Sequence, residues 1–450
     1  MLGFDQHSSR MNAVPDLLDD ARALLADADQ KLAQLRAIEP YLIDISLREN
    51  PVGSGIGQTL ADKLRVLPQL RAFGMKNIHL GSLDYAMPDE LEVDDDFMAW
   101  LRDHAIDMTG CFAFTDIGAF DAGGAFQPSP SMRKLQAYTV PNTLHEIYLS
   151  DPGMAGLYDF DTLCRNLRAS IAWLHANIRG DHGGAPRILI NIVDGCDALT
   201  NNLERSCALL ALLAGENIEG VSIEDDRGTY LPFQVGACVA IARRCLPAPK
   251  KIVVHVHAGA GYENASVIEA LLRGADGVWG GIPKQAALIG HASLGELIAN
   301  LVRIGNPHMA AYQVERLLPL ATHLQEGDSG QPVPDDVPVF GRNAYRLTLD
   351  FFRQSATRPM DLPPERIGGR YGYRICPVVS DRPVVAGRLA EVTGHPADSF
   401  PDDVVDMMIR LMRRDLRAGL RLAYDQPAEL LALHRRAVET APSPICNENP

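Results

Sequence analysis

The chain is 450 residues long, with 46% apolar and 22% charged residues. That is the make-up of a globular protein with ample core and enough length for two or three domains. Its 57 acidic against 42 basic residues leave a net charge of −15, which argues against a nucleic-acid partner and against docking on anionic membranes.

An anionic substrate would therefore need Arg or Lys placed locally against the overall field. The eight cysteines contain no Cys-x-x-Cys pair and read as reduced thiols of a cytoplasmic protein. The first dozen residues lack the apolar core of a signal peptide. Apolar runs such as 208–214 fall far short of the ~20 residues of a spanning helix.

In chain order, leucines and alanines from 17 to 35 recur at helical spacing and predict an amphipathic helix that must pack on something. A different rhythm starts at residue 41. Candidate strands lie at 41–47, 77–83, 107–114, 135–141, 187–193, 219–224, 250–257 and 276–281. Helical stretches follow them, for instance at 57–73, 161–178, 201–214, 233–245, 264–273 and 293–304. Alternation of this kind implies parallel strands, and eight units in about 260 residues is the size of a (β/α)8 TIM barrel. An open doubly wound sheet is the other possibility, although no Gly-x-Gly-x-x-Gly turn follows the first strand. Residues 325–338 are rich in Gly, Pro and acid and read as a linker to a mainly helical C-terminal extension, with 402–422 its clearest helix. The expected division is an N-terminal helical segment at 1–40, the barrel at 41–305, and the linker with a helical subdomain at 306–450.

In such a barrel the chemistry belongs at the C-terminal ends of the strands. The seventh run ends in Val254-His255-Val256-His257, and alternation sends both imidazoles to one face, expected to be the barrel mouth. Two imidazoles so placed can ligate one metal ion; a hydrogen-bonded core pair is the plainer alternative. The first run ends in Asp44-Ile-Ser-Leu-Arg48-Glu49. Reading Ile43, Ile45 and Leu47 as the outer apolar face leaves Asp44, Ser46 and Arg48 pointing inward. Arg48 could supply fixed positive charge to a developing oxyanion, and Glu49 a carboxylate ligand; a structural Arg–Asp pair is the alternative. The sixth run ends in Glu224-Asp225-Asp226, where one acid could orient a ligand, and the fifth ends near Asn191 and Asp194. His291, after Gly290, could bring a third imidazole. Two His and a carboxylate with open positions could bind and polarise a 2-oxo acid.

These elements, in this order, resemble the metal-dependent (β/α)8-barrel family of 2-isopropylmalate synthase, homocitrate synthase and HMG-CoA lyase, whose carboxyltransferase relatives act on pyruvate. The family's first strand reads like Thr-Leu-Arg-(Asp/Glu)-Gly; here it is Ser46-Leu47-Arg48-Glu49-Asn50. Asp225, Gly228 and Pro232 keep the spacing of its sixth-strand motif, and His255, His257 and Gly261 that of its seventh. Residues 338–346 and 363–370 look like segments that follow the barrel in the synthases.

The resemblance implies a divalent ion (Mg2+, Mn2+ or Zn2+) held by Glu49, His255, His257 and His291. It further implies catalytic roles for Arg48 and Asp225, with Asp44, Asn191 and Asp194 in contact with substrate. The implied reaction joins an acyl-CoA to a 2-oxo acid in a Claisen-type step, in a homodimer. The sequence departs from the family at Asn50, Val52 and Val193, and at Phe352, where the family carries a His that activates the acyl-CoA. That last change keeps open a metal-dependent aldolase or lyase, and a degenerate barrel that only binds a partner.

Overall fold

Eight parallel strands close into a barrel in strict chain order. They are β1 (Tyr41–Asp44), β2 (Asn77–Ser82), β3 (Cys111–Asp116), β4 (Asn142–Ile147), β5 (Ile188–Ile192), β6 (Gly220–Asp225), β7 (Lys251–Val256) and β8 (Gly277–Gly280), with β8 pairing back onto β1. The computed structural model describes residues 14–83, 90–150, 159–286, 289–350 and 362–440, and the chain divides into the units Met1–Pro332 and Val333–Pro450.

In the first unit, helix α1 (Val14–Ala37) precedes the barrel and is tied to it at its C-terminal end, where Arg36 Nε donates to the Ile304 carbonyl at 2.7 Å. The connections then carry α2 (Glu49–Ser54), α3 (Leu60–Phe73), α4 (Val93–Asp103), α5 (Pro130–Ala137), α6 (Phe160–Asn177), α7 (Gly195–Asn201), α8 (Leu203–Ala214), α9 (Pro232–Cys245), α10 (Glu263–Leu272), α11 (Leu294–Arg303) and α12 (Leu317–Ser329). Several begin where the sequence supplies an oxygen for the free N–H groups of the first turn: Thr59 caps α3, Asp159 caps α6 and Ser293 caps α11. The residues that the sequence assigned to a linker at 325–338 begin inside α12, and the boundary between the units falls at Pro332.

The fourth strand lies later than the expected 135–141. Ser129 accepts from the Met132 N–H and Pro130 opens α5, so Met132 and Leu135 are the buried face of a helix. The strand follows at Asn142. The third strand starts at Cys111, because the Asp107 carboxylate accepts from the Thr109 N–H and turns the chain first.

The barrel interior is packed by Ile43, Ile45, Phe112, Phe114, Leu144, Leu189, Val253 and Trp279. This reverses the expected faces of β1. Ile43 and Ile45 point in, and alternation turns Asp44 to the outer side. There its buried carboxylate accepts from Ser46 N and Ser46 Oγ, each at 3.0 Å. The chain then turns, which frees Arg48 from the alternation and returns it to the mouth.

The second unit is built mainly from α13 (Arg382–Thr393), α14 (Asp402–Arg417) and α15 (Pro427–Thr440) around Val385, Leu389, Val405, Met408, Leu430 and Leu433. Phe352 lies outside the described residues. Among the described residues no helix is long and apolar enough to cross a membrane.

Candidate metal centre

Strand β7 places Val253 in the interior, and alternation sends His255 in above it. The register pairs Ser222 with Val253 and Glu224 with His255, so β6 sends Glu224 to the same level and face. His257 follows one residue beyond the strand, bridged to His291 of the last loop. Among the described residues, Glu224, His255 and His257 are the metal-type side chains whose donor atoms lie within 4.8 Å of one another, and all three are buried.

The two Nε2 atoms are 3.2 Å apart, and Glu224 Oε1 lies 3.4 Å from His257 Nε2 and 4.0 Å from His255 Nε2. His255 Nδ1 sits 2.8 Å from the Trp279 carbonyl, an acceptor only. The proton is therefore on Nδ1 and the Nε2 lone pair faces its neighbours. Burial, then the neighbouring His257 and His291, holds His255 well below the usual imidazole range, so it is neutral as a ligand must be. Donors about 2.0–2.2 Å from one ion stand roughly 3–4 Å from each other, which is the spacing found. Three converging lone-pair donors with little water access fit a divalent cation.

Arg48 stands beside this group. Its Nε donates to Ser82 Oγ at 2.9 Å, and its guanidinium carbon lies 4.5 Å above the Phe114 ring. Phe114, Trp279 and His79 form an aromatic floor below, with Trp279 4.2 Å from the His255 ring. The carboxylate of Glu49, at the start of α2, closes on the Arg48 guanidinium.

No family model matches the chain. Over 226 residues it is 24% identical to 2-isopropylmalate synthase of Haemophilus influenzae, covering 48% of this chain and 43% of that protein. The chain thus matches less than half the length of that curated relative. Among solved structures it is similar to the HMG-CoA lyase of Bacillus subtilis, with 17% identity, a TM-score of 0.50, and coverage of 66% of this chain and 95% of that one. An HMG-CoA lyase from Acinetobacter baumannii, solved with coenzyme A and 3-methylmalate, gives 14% identity, a TM-score of 0.50, and coverage of 67% and 94%. The structural likenesses establish the barrel fold. The chain is thus similar to the metal-dependent barrel enzymes 2-isopropylmalate synthase and HMG-CoA lyase, and it shares the barrel fold of the latter.

Within this barrel, the sequence-predicted residues divide. His255, His257 and Arg48 gather at the mouth. His291 is buried close by, its ring centre 5.4 Å from that of His255, but it stands outside the three-donor group. Its Nε2 has no hydrogen-bond partner among the described residues, and burial drives its pKa down to about 3. Asn191 Nδ2 donates to Glu224 Oε2 at 2.9 Å. Asp225 faces away from the imidazoles: its carboxylate accepts from Thr229 N at 3.2 Å and Tyr230 N at 3.0 Å and shapes the β6 loop. Asp194 accepts from Leu149 N at 2.8 Å and from Ser150 N, and lines a polar recess of about 270 Å³ with Tyr148, Asp197, Asn201, Asp226 and Arg227. Asp44 is walled off on the outer side of β1.

Glu224 is the residue that the sequence reading left undefined. The signal was present in the alternation. With Val221 and Ile223 facing the outer helices, Glu224 is the acid of the 224–226 run that must point inward.

Proposed function

We propose that the protein is a divalent-metal-dependent enzyme that joins an acyl-CoA to a 2-oxo acid, releasing free CoA and a 2-hydroxy diacid. The observation that carries this reading is the convergence of His255, His257 and a carboxylate on one point inside the barrel, with the Arg48 guanidinium at its side.

When bound, the ion would supply Lewis acidity to the carbonyl of the acid. The rest falls to the chain. His255, fixed by its bond to the Trp279 carbonyl, keeps one tautomer and one orientation. Arg48, held by Ser82 and stacked on Phe114, puts fixed positive charge where an enolate or alkoxide develops. Asp225 holds the loop after β6 in place. The recess lined by Tyr148, Asp194, Asp226 and Arg227, the last two on the loop that follows Glu224, gives room for the body of a substrate. In the balanced reaction, the acyl-CoA α-carbon gives up a proton and bonds to the carbonyl carbon, whose oxygen takes up a proton to become the 2-hydroxyl; water then cleaves the thioester to a carboxylate and the free thiol of CoA. The soluble homodimer expected for such an enzyme would suit the exposed leucines 17, 18, 24 and 25 of α1.

The test is incubation of the metal-loaded protein with a panel of 2-oxo acids and acyl-CoAs while free thiol is followed. Release that depends on the oxo acid supports the reading; no release across the panel ends it. One sequence feature favours a second reading, a lyase that cleaves the bond next to the carbonyl. Phe352 stands where the synthases carry the His that activates the acyl-CoA. Product formed from a 3-hydroxy acid without added acyl-CoA would decide for the lyase.

A further inference from the structure

We propose that the carboxylate ligand of the ion is Glu224 on β6, oriented by Asn191 on β5, and that Glu49 is instead the counter-charge of Arg48. The inference rests on the metal-dependent reading above and departs from what the family resemblance implies for Glu49.

The first ground is position. Glu224 is paired in register with His255 on the adjacent strand, so the two side chains leave the wall at the same level. Its Oε1 is the atom that faces the imidazoles, 3.4 Å from His257 Nε2. The second is orientation. A carboxylate can only accept, so the Asn191 amide turns its Nδ2 to Glu224 Oε2, at 2.9 Å. That bond occupies one oxygen and leaves the other aimed at the histidines. Asn191 is fully buried, and its Oδ1 has no partner among the described residues, so the contact with Glu224 is what fixes the amide.

The third ground is charge. Arg48 and Glu49 are buried, at 9% and 2% exposure, and they form an ion pair. The Glu49 carboxylate is thus already engaged with the Arg48 guanidinium, and a buried ion pair of this kind is costly to break. Keeping the carboxylates apart also leaves a site of one carboxylate and one divalent ion with net charge +1. Such a site still attracts an acid substrate, against a chain whose overall charge is −15.

The test uses the full-length protein stripped with a chelator and titrated with Co2+, read by equilibrium dialysis and by the visible absorption of the bound ion. Glu224→Gln is expected to weaken binding at least 100-fold. Asn191→Ala should weaken it about tenfold and shift the Co2+ bands, the scale of a lost outer partner; a purely structural role would not move the bands. Glu49→Gln should bind within about threefold of wild type, with unchanged bands. Glu224→Asp keeps a carboxylate and should recover part of the loss, which answers for any Glu224→Gln protein that fails to fold. Equal losses in Glu49→Gln and Glu224→Gln overturn the assignment. So does wild-type affinity in Glu224→Gln, or a wild type that takes up no ion. The expected pattern of binding without thiol release on any acid would end the functional reading alone and leave the ligand assignment standing.

Discussion

His255 and His257 turn their Nε2 atoms toward each other across 3.2 Å of buried space. With the His255 proton on Nδ1, its Nε2 lone pair points into this space, and a cation held there would be bound by both rings. Divalent ion in excess should therefore raise the melting temperature of the wild type, and a chelator should reverse the rise. At 100 times Kd the stabilisation is about 2.7 kcal/mol. His257→Ala should abolish the shift, as read by differential scanning calorimetry with and without the ion.

Arg48 gives a second prediction, on rate and not on binding. Lys at this position retains a charge but loses the Nε–Ser82 bond and the flat stacking on Phe114. On the proposed reaction, Arg48→Lys should lower kcat by about 10² to 10³ while stoichiometric metal content is unchanged. A variant with wild-type kcat would remove Arg48 from the chemistry.

The closed barrel was legible in the sequence because parallel β/α alternation has few other outcomes at that length. The histidine pair was legible because a strand with period two leaves no choice of face for residues two apart. What escaped has the same physical root. Alternation says which residues share a face, and only packing says which face is inside. On β1 the isoleucines fill the interior and Asp44 is turned out, where Ser46 satisfies it. On β6 the same uncertainty hid Glu224 among three consecutive acids. At 135–141 an apolar run fits strand or helix equally, and the Ser129 cap with Pro130 decides for helix.

The support under Arg48 can be tested through stability. Lys63 is 1% exposed and its Nζ lies 2.7 Å from Asp94 Oδ1, while Asp94 Oδ2 accepts from Ser82 N at 2.8 Å. Ser82 in turn holds Arg48. Lys63→Met leaves Asp94 buried without its cation, a loss of about 3–5 kcal/mol. Denaturant unfolding of the variant against wild type measures it, and a change below about 1 kcal/mol would mean that Asp94 is held by other groups.

The β6 loop offers a backbone test. Gly228 has φ +60°, and a Cβ there would come within 1.9 Å of the His257 carbonyl oxygen. Ala can relieve the clash only by moving the loop or the backbone that carries His257. Gly228→Ala should therefore lower both the melting temperature and the metal affinity, whereas Ala at Gly261, which has φ +77° but nothing within 4 Å, should strain the backbone and leave the metal affinity near wild type. Titration of the three proteins with one ion separates the outcomes; equal affinities would show that the loop does not position His257.

Asp44 carries a pH signature. Burial raises its pKa to about 7, partly offset by hydrogen bonds from Ser46 and Ile282, against an ordinary value of 3.8. The folded protein therefore keeps the proton over a range in which the unfolded chain has released it. As pH rises from about 4 to 7, the unfolded state binds fewer protons and wild-type stability falls by up to about 1.4 kcal/mol per pH unit from this group. Above pH 7 both states are ionised and the effect levels off. Asn mimics the protonated acid: its oxygen can accept from Ser46 N and its amide can donate to Ser46 Oγ. Groups remote from Asp44 titrate alike in both proteins and cancel in the difference; Asp328, whose charge acts on Asp44 and whose own pKa is raised to about 6, is held constant by making the comparison in an Asp328→Asn background as well. The stability of Asp44→Asn relative to wild type should thus climb between pH 4 and 7 and then hold constant. Urea unfolding of the pair at several pH values measures that difference directly. A flat difference would mean that Asp44 is ionised in the fold, with its charge met by the Ser46 and Ile282 donors alone.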